Sequence, residues 1–195
     1  MTSLAATFGS ELLSVLERVR PVADGTAERH EAGAGTFEGV YRDHHRDVYR
    51  YVVLSLRGSD DVEDVVADTF QRAFVAWRSG HGPAGRPLPW LLVIARRIVI
   101  DRWRRDRFIR WLPIAGRSAE PADPDDPGRR TEFWLWLEAL ARVLPPRQRE
   151  VVFLRYQRDL TDDEIGEILG ISASGVRSLV SRALAQLRRH PELWT

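Results

Sequence analysis

Arginine is the residue type in this chain best suited to do chemistry. All 29 of its basic residues are arginine, and neither lysine nor asparagine occurs. A guanidinium is a planar fork of donors that fits a phosphate or a guanine edge, where an ammonium is a point charge. A GC-rich genome also yields an all-arginine complement, so placement rather than number carries the argument. Other chemistries are poorly supplied. Cysteine is absent, which excludes disulfides, thiolate metal sites and cysteine nucleophiles. The histidines are His30, His44, His45, His81 and His190; none forms an H-E-x-x-H pair, and no G-x-S-x-G elbow exists. Gly33, Gly35 and Gly39 mimic a nucleotide loop but follow no strand and lack the spacing. The expectation is a chain that is not an enzyme and needs no cofactor or metal.

Two arginine settings and one acidic setting stand out. Arg96, Arg97, Arg102, Arg104, Arg105, Arg107 and Arg110 crowd one stretch, offset only by Asp101 and Asp106 and interleaved with Trp90, Trp103, Phe108 and Trp111. Arginine neutralises phosphate, and aromatic faces can stack unpaired bases. The plainer alternative makes Trp90 and Trp103 core anchors, and for Trp103 the two readings are equal. Near the C-terminus, Ser174, Arg177, Ser178, Ser181 and Arg182 share one helical face that carries no acid. Such a face can enter a major groove; a solvated face of a helical hairpin is the plainer alternative. Asp61, Glu63, Asp64 and Asp68 gather on a third segment, where they also suit a helix N-terminus.

The elements that must position these residues are all helices. Apolar residues at Leu4, Phe8, Leu12, Val15, Leu16 and Val19 predict a helix that Pro21 stops. Phe37 to Leu56 is a second, with Phe37, Val40, Tyr41, Val48, Tyr51 and Val52 as its stripe and His44-His45 as a surface pair. After Gly58, with Ser59 or Asp60 as cap, comes the clearest amphipathic run: Val62, Val65, Val66, Thr69, Phe70, Ala73, Phe74 and Trp77. A Gly/Pro loop from Gly80 to Pro87 separates it from a helix over about Pro89 to Phe108, buried through Leu91, Leu92, Ala95, Ile98 and Val99. Pro113, Pro121, Pro124 and Pro127, with Glu120, Asp123, Asp125 and Asp126, make an acidic flexible linker. Helices then follow over Phe133 to Val143, from Pro145-Pro146 through Val151, Val152, Leu154 and Tyr156, over Thr161 to Leu169, and over Ser172 to Arg188. Thr161 to Glu164 is a capping box, Gly170 sits where a left-handed residue closes a helix, and Ser172 caps the next. Val176, Val180 and Leu184 share a face of the last helix, with Ala183 and Leu187 flanking it. This is a helix-turn-helix. No segment alternates as a strand does.

The fold class is therefore all-α: two small helical domains, of three and four helices, on a flexible acidic linker. The expected division is an N-terminal extension at 1–35, a first domain at 36–111, the linker at 112–131 and a second domain at 132–195. The net charge is +1, no run of 18 apolar residues could span a membrane, and Glu11 and Glu17 with no basic start argue against a signal peptide. A cytoplasmic protein without membrane contact is expected.

Three stretches, in this order, resemble the extracytoplasmic-function RNA polymerase sigma factors, regions 2 and 4 of the sigma-70 family. Asp61-Val-Glu-Asp-Val-Val-Ala-Asp-Thr-Phe-Gln-Arg-Ala-Phe is similar to the family's core-binding helix. Pro89-Trp-Leu-Leu-Val-Ile-Ala-Arg-Arg-Ile-Val-Ile-Asp-Arg is similar to its melting and −10-reading helix. Leu144-Pro-Pro-Arg-Gln-Arg-Glu-Val-Val-Phe-Leu-Arg-Tyr, with the helix-turn-helix from Leu160 through Ser181-Arg-Ala, is similar to its −35-reading domain. The resemblance implies core RNA polymerase (β′ clamp and β flap) and promoter DNA as partners, and allows an anti-sigma factor. It implies that Asp61, Glu63, Asp64 and Asp68 dock on the clamp. Arg86, Trp90, Arg96, Arg97, Asp101, Arg102 and Arg105 would serve −10 recognition and melting. Arg155, Ser172, Ser174, Arg177, Ser178, Ser181 and Arg182 would meet the −35 duplex. The linker would thread the path of nascent RNA. Three positions depart from the pattern: Arg97 where many members carry Asn, Leu179 where an Arg often follows the Arg-Ser pair, and Gly175 where Thr is common. A helix-turn-helix activator or adaptor is the alternative. It would need the helix-turn-helix but neither the acidic nor the melting helix.

Overall fold

A computed structural model describes residues 36–56, 61–109 and 132–190. The helix expected over Leu4 to Val19, the capping candidates Ser59 and Asp60, and the acidic linker lie outside the described residues. So do the side chains of Arg107, Phe108, Arg110 and Trp111. Every regular element among the described residues is a helix, and they divide into two compact units, one on each side of the linker.

The first unit is a three-helix cluster in which each helix packs on the other two. Helix α1 spans Phe37–Ser55, and its N-cap Thr36 accepts from the Gly39 amide at 3.2 Å. Helix α2 spans Val62–Arg78. It buries Val62, Val65, Val66, Thr69, Phe70 and Ala73, a spacing of three and four residues that lays one stripe along the helix. Thr69 does not waste a polar atom in the core, because its hydroxyl donates to the Val65 carbonyl at 2.6 Å. Helix α3 spans Pro87–Ile109, starting two residues before the expected Pro89. Pro87 and Pro89 fall in its first turn, where amide hydrogens have no partner within the helix and proline does no harm. Leu91, Leu92, Ala95, Ile98 and Val99 are buried as expected. Truncating a fully buried leucine such as Leu91 to Ala costs about 2–5 kcal/mol in a core of this kind.

Two readings of this unit need correction. Tyr41 and Phe74, placed on buried stripes from spacing, are 44% and 43% exposed. They belong instead to a half-exposed aromatic cluster, with Tyr41 on Phe70 at 4.7 Å and Phe74 on Phe37 at 5.1 Å between ring centres. The His44-His45 pair is not a surface pair: both rings are half-buried, and His45 stacks on Phe70 at 5.9 Å.

The second unit holds α4 (Glu132–Val143), α5 (Pro146–Val152), α6 (Asp162–Leu169) and α7 (Ala173–Leu187). Its core gathers Leu140, Phe153, Leu154, Leu160, Ile165, Val176 and Leu187. The last helix buries Val176 with the flanking Ala183 and Leu187, so the inner face is centred toward the flank; Val180 and Leu184 are only half-buried. Helix α5 runs directly into a π-helical turn at Phe153–Gln157. That wider turn keeps Phe153, Leu154 and Gln157 inside while Arg155 and Tyr156 reach the rim. Asp159 closes it with a left-handed backbone, φ 49°, a region that aspartate tolerates better than most residues.

The helix-turn-helix is built as its caps dictate. Glu164 donates its amide to the Thr161 hydroxyl at 3.2 Å, and its carboxylate accepts from the Thr161 amide at 2.8 Å. Gly170 takes φ 66°, and the Ser172 hydroxyl accepts from the Gly175 amide at 3.2 Å. Gly166 is fixed by space: a Cβ there would come within 2.7 Å of the Ile171 carbonyl oxygen. The turn can therefore fold back on α6 only because residue 166 has no side chain.

Candidate nucleic-acid interface

On α3, Trp90, Arg97, Asp101, Arg104 and Arg105 fall within one arc of the helix, because they recur at intervals of three, four and seven residues. The four charged ones are exposed and Trp90 is half-buried. Arg105 Nε donates to the Asp101 carbonyl at 3.4 Å, and Arg104 lies 3.9 Å from the Asp101 carboxylate. Arg86 is exposed on the loop that leads into the helix. Trp103, which read equally as stacking platform or anchor, is half-buried on the other side of the helix.

Two of the expected arginines are not on this face. Arg96 is 7% exposed, and its guanidinium donates to the Tyr51 hydroxyl at 3.3 Å. Helical phase turns it inward while its neighbour Arg97 points to solvent, so Arg96 holds α3 to α1 rather than lining a strand. Arg102 faces α2. It lies 2.7 Å from Asp61 and 3.9 Å from both Asp64 and Asp68. The structure thus joins a residue expected at DNA to three of the four expected at the polymerase. Asp61, at the N-cap position of α2, makes no capping bond and turns to Arg102 instead. Glu63 and Asp64 are exposed at the same helix end.

Sequence reasoning missed the rest of that outer face. Gln71, Arg72 and Val75 continue it toward the C-terminus of α2, and with Asp68, Ser79 and His81 they line an open hollow of about 630 Å³. Val75 is 60% exposed, unusual for a valine on a packed helix. The signal was present as an apolar residue out of phase with the buried stripe.

On α7 the expected face is intact. Ser172, Ser174, Arg177, Ser178, Ser181 and Arg182 are all exposed. The serines turn partly to their own helix: Ser178 donates to the Ser174 carbonyl at 2.9 Å, and Ser172 and Ser174 share a bond of 2.9 Å. Arg182 Nε donates to the Ser178 carbonyl at 3.2 Å. Leu179, one of the departures from the family pattern, is half-buried. Arg155 joins this surface from the π turn. It pairs with Asp162 at the start of α6, and the same carboxylate receives Arg177 at 3.3 Å. Arg155, Arg177, Val180, Ser181, Leu184 and Arg188 line a hollow of about 260 Å³ beside the pair. Tyr156 is adjacent. Burial pushes its hydroxyl above the ordinary 10.0, against the opposing pull of Arg155 and Arg188.

Among the described residues, no group of three or more histidines, aspartates or glutamates could hold a metal. No described helix is long and apolar enough to cross a membrane.

Residues 40–109 match the Sigma-70 region 2 family and residues 140–189 match Sigma-70 region 4. The chain is 31% identical to the ECF RNA polymerase sigma factor BldN of Streptomyces coelicolor, over 87% of this chain and 69% of that one. It is 30% identical to SigL, an ECF RNA polymerase sigma factor of Mycobacterium tuberculosis, over 80% and 89% respectively. Two solved structures share its fold. The sigma factor RpoE of Bartonella quintana, in complex with the anti-sigma factor NepR, has a TM-score of 0.62 at 22% identity, covering 80% of this chain and 95% of that one. CnrH, in complex with the cytosolic domain of CnrY, has a TM-score of 0.56 at 21% identity, covering 91% and 97%. An acid-edged three-helix unit, followed by a helix-turn-helix unit with a serine and arginine face, thus coincides with two sigma-70 regions and with relatives matched over most of their length: the chain belongs to the ECF RNA polymerase sigma factors.

Proposed function

We propose that this sigma factor binds core RNA polymerase through the outer face of α2 and directs initiation by reading two promoter elements, −10 with α3 and −35 with α7. The single observation that carries the reading is the separation of charge. The described surface of α2 presents Asp61, Glu63, Asp64 and Asp68 at one end. The outward faces of α3 and α7 are dominated by arginine, with Asp101 the only acid on either among the described side chains. An acidic helix suits a basic protein partner, and arginine faces suit a polyanion.

Within this reading Arg97, Arg104 and Arg105 meet the backbone of the opened strand, and Trp90 offers a ring to an unpaired base. Arg86 approaches from the preceding loop. Arg177 and Arg182 enter the major groove at the −35 duplex, Ser172, Ser174, Ser178 and Ser181 contact its phosphates and edges, and Arg155 supports them from the side. Arg96 has no part in it. The partners are the β′ clamp, the β flap and promoter DNA, and the compartment is the cytoplasm. An anti-sigma protein is a further partner of this reading. The domain limits are 36–111 and 132–195, the linker between them lying along the RNA path.

Run-off transcription with sigma-free core polymerase tests the reading. Adding the chain should produce transcripts from defined sites. An activator or adaptor would produce none without a resident sigma factor, and that result would transfer the chain to the alternative class.

A further inference from the structure

The ion pairs around Asp162 are not explained by capping. The carboxylate sits at the first residue of α6, where the helix dipole favours it, but its partners come from two other elements: Arg155 on the π turn and Arg177 on α7. Both arginines belong to the proposed −35 surface. Asp162 is 23% exposed and Arg177 63% exposed, so the acid is set back while the guanidinium reaches out. Arg177 commits one terminal nitrogen, Nη1, to the contact. Its other two nitrogens remain free to grip a base edge.

From this geometry, and resting on the function proposed above, we infer that Asp162 is a positioning residue that sets sequence discrimination on the −35 surface. It acts in two ways. It restrains the Arg177 fork, so less rotamer freedom is lost when the fork engages a base. It also cancels one of the two positive charges beside it, which lowers attraction to any duplex whatever its sequence. Both effects favour base readout over phosphate contact. The adjoining acid, Asp163, is exposed at the same helix end but pairs with no arginine among the described residues, and so serves as the comparison.

The test uses holoenzyme assembled from core polymerase and the full chain. Its DNA probes are duplexes that the wild type selects from a randomised pool, and scrambled duplexes of equal length. Asp162→Asn should bind scrambled duplex more tightly, with a salt slope steeper by about 0.9. Its preference for selected over scrambled duplex should fall at least about fivefold, the lower end of what one bidentate base contact contributes. Asp163→Asn should leave that preference unchanged. Three results would overturn the inference: a preference unaltered by Asp162→Asn, equal effects of the two substitutions, or weaker binding of Asp162→Asn to both duplexes, which marks a damaged fold. If the wild type itself shows no preference, the reading of α7 fails along with it.

Discussion

At the residue scale, the structure separates arginines that adjacency in sequence makes look alike. Arg96 and Arg97 differ only in helical phase, yet one is bonded to Tyr51 in the core and the other is exposed. Nothing local to the Ala-Arg-Arg triplet says which is which; that depends on α1 supplying a buried hydroxyl 45 residues away. Caps are the opposite case. Thr161, Glu164, Gly170 and Ser172 were legible because each bond closes within a few residues of its own chain. Gly166 was not, since only the folded turn reveals the Ile171 carbonyl above it. Two substitutions test these local accounts. Gly166→Ala should destabilise the second unit by about 1–3 kcal/mol, read as a lower thermal midpoint. Gly175→Ala is its control: a Cβ there meets the Ser172 hydroxyl at 3.4 Å, an ordinary contact, and the change should be neutral or gain up to about 1 kcal/mol. Arg177→Ala should cost about 1–3 kcal/mol of binding on preferred −35 sequences and relax the choice among them. An equal loss on every sequence would make Arg177 a phosphate contact.

At the element scale, the helices were legible wherever apolar residues recur at three and four, as in α2. They were misjudged where two rules competed. Pro87 reads as the end of a breaking loop, but a proline in the first turn removes no hydrogen bond that the helix could have made. The π turn at Phe153–Gln157 is only five residues long, too short for an apolar pattern to distinguish it from an α-helical turn. Its effect is one of placement, since Arg155 on that turn pairs with Asp162. Helix α2 carries the prediction for this scale. Asp64 is 73% exposed and only loosely placed against Arg102, at 3.9 Å. Asp64→Arg should therefore weaken association with core polymerase tenfold or more, by setting like charge against a basic partner. The thermal midpoint should shift little, because an exposed pair contributes about 0–1 kcal/mol. Titration against labelled core, beside a thermal melt, distinguishes a lost contact from a lost fold.

At the scale of the whole molecule, the proposed function gives three jobs to three separate elements. The all-α class and the order of the two helical clusters were readable from periodicity and from the proline-rich stretch between them. The pairing of Arg102 with Asp61, Asp64 and Asp68 was not, because it joins residues about 40 positions apart that had been assigned to different partners. Mapping the 5′ ends of transcripts made on random-sequence DNA by core polymerase with and without the chain tests the whole arrangement most directly. The expected result is a set of chain-dependent starts that share two upstream elements at a fixed spacing, with Arg177→Ala blurring only the distal one. Starts that show no shared elements, or that are the same with core polymerase alone, would contradict it.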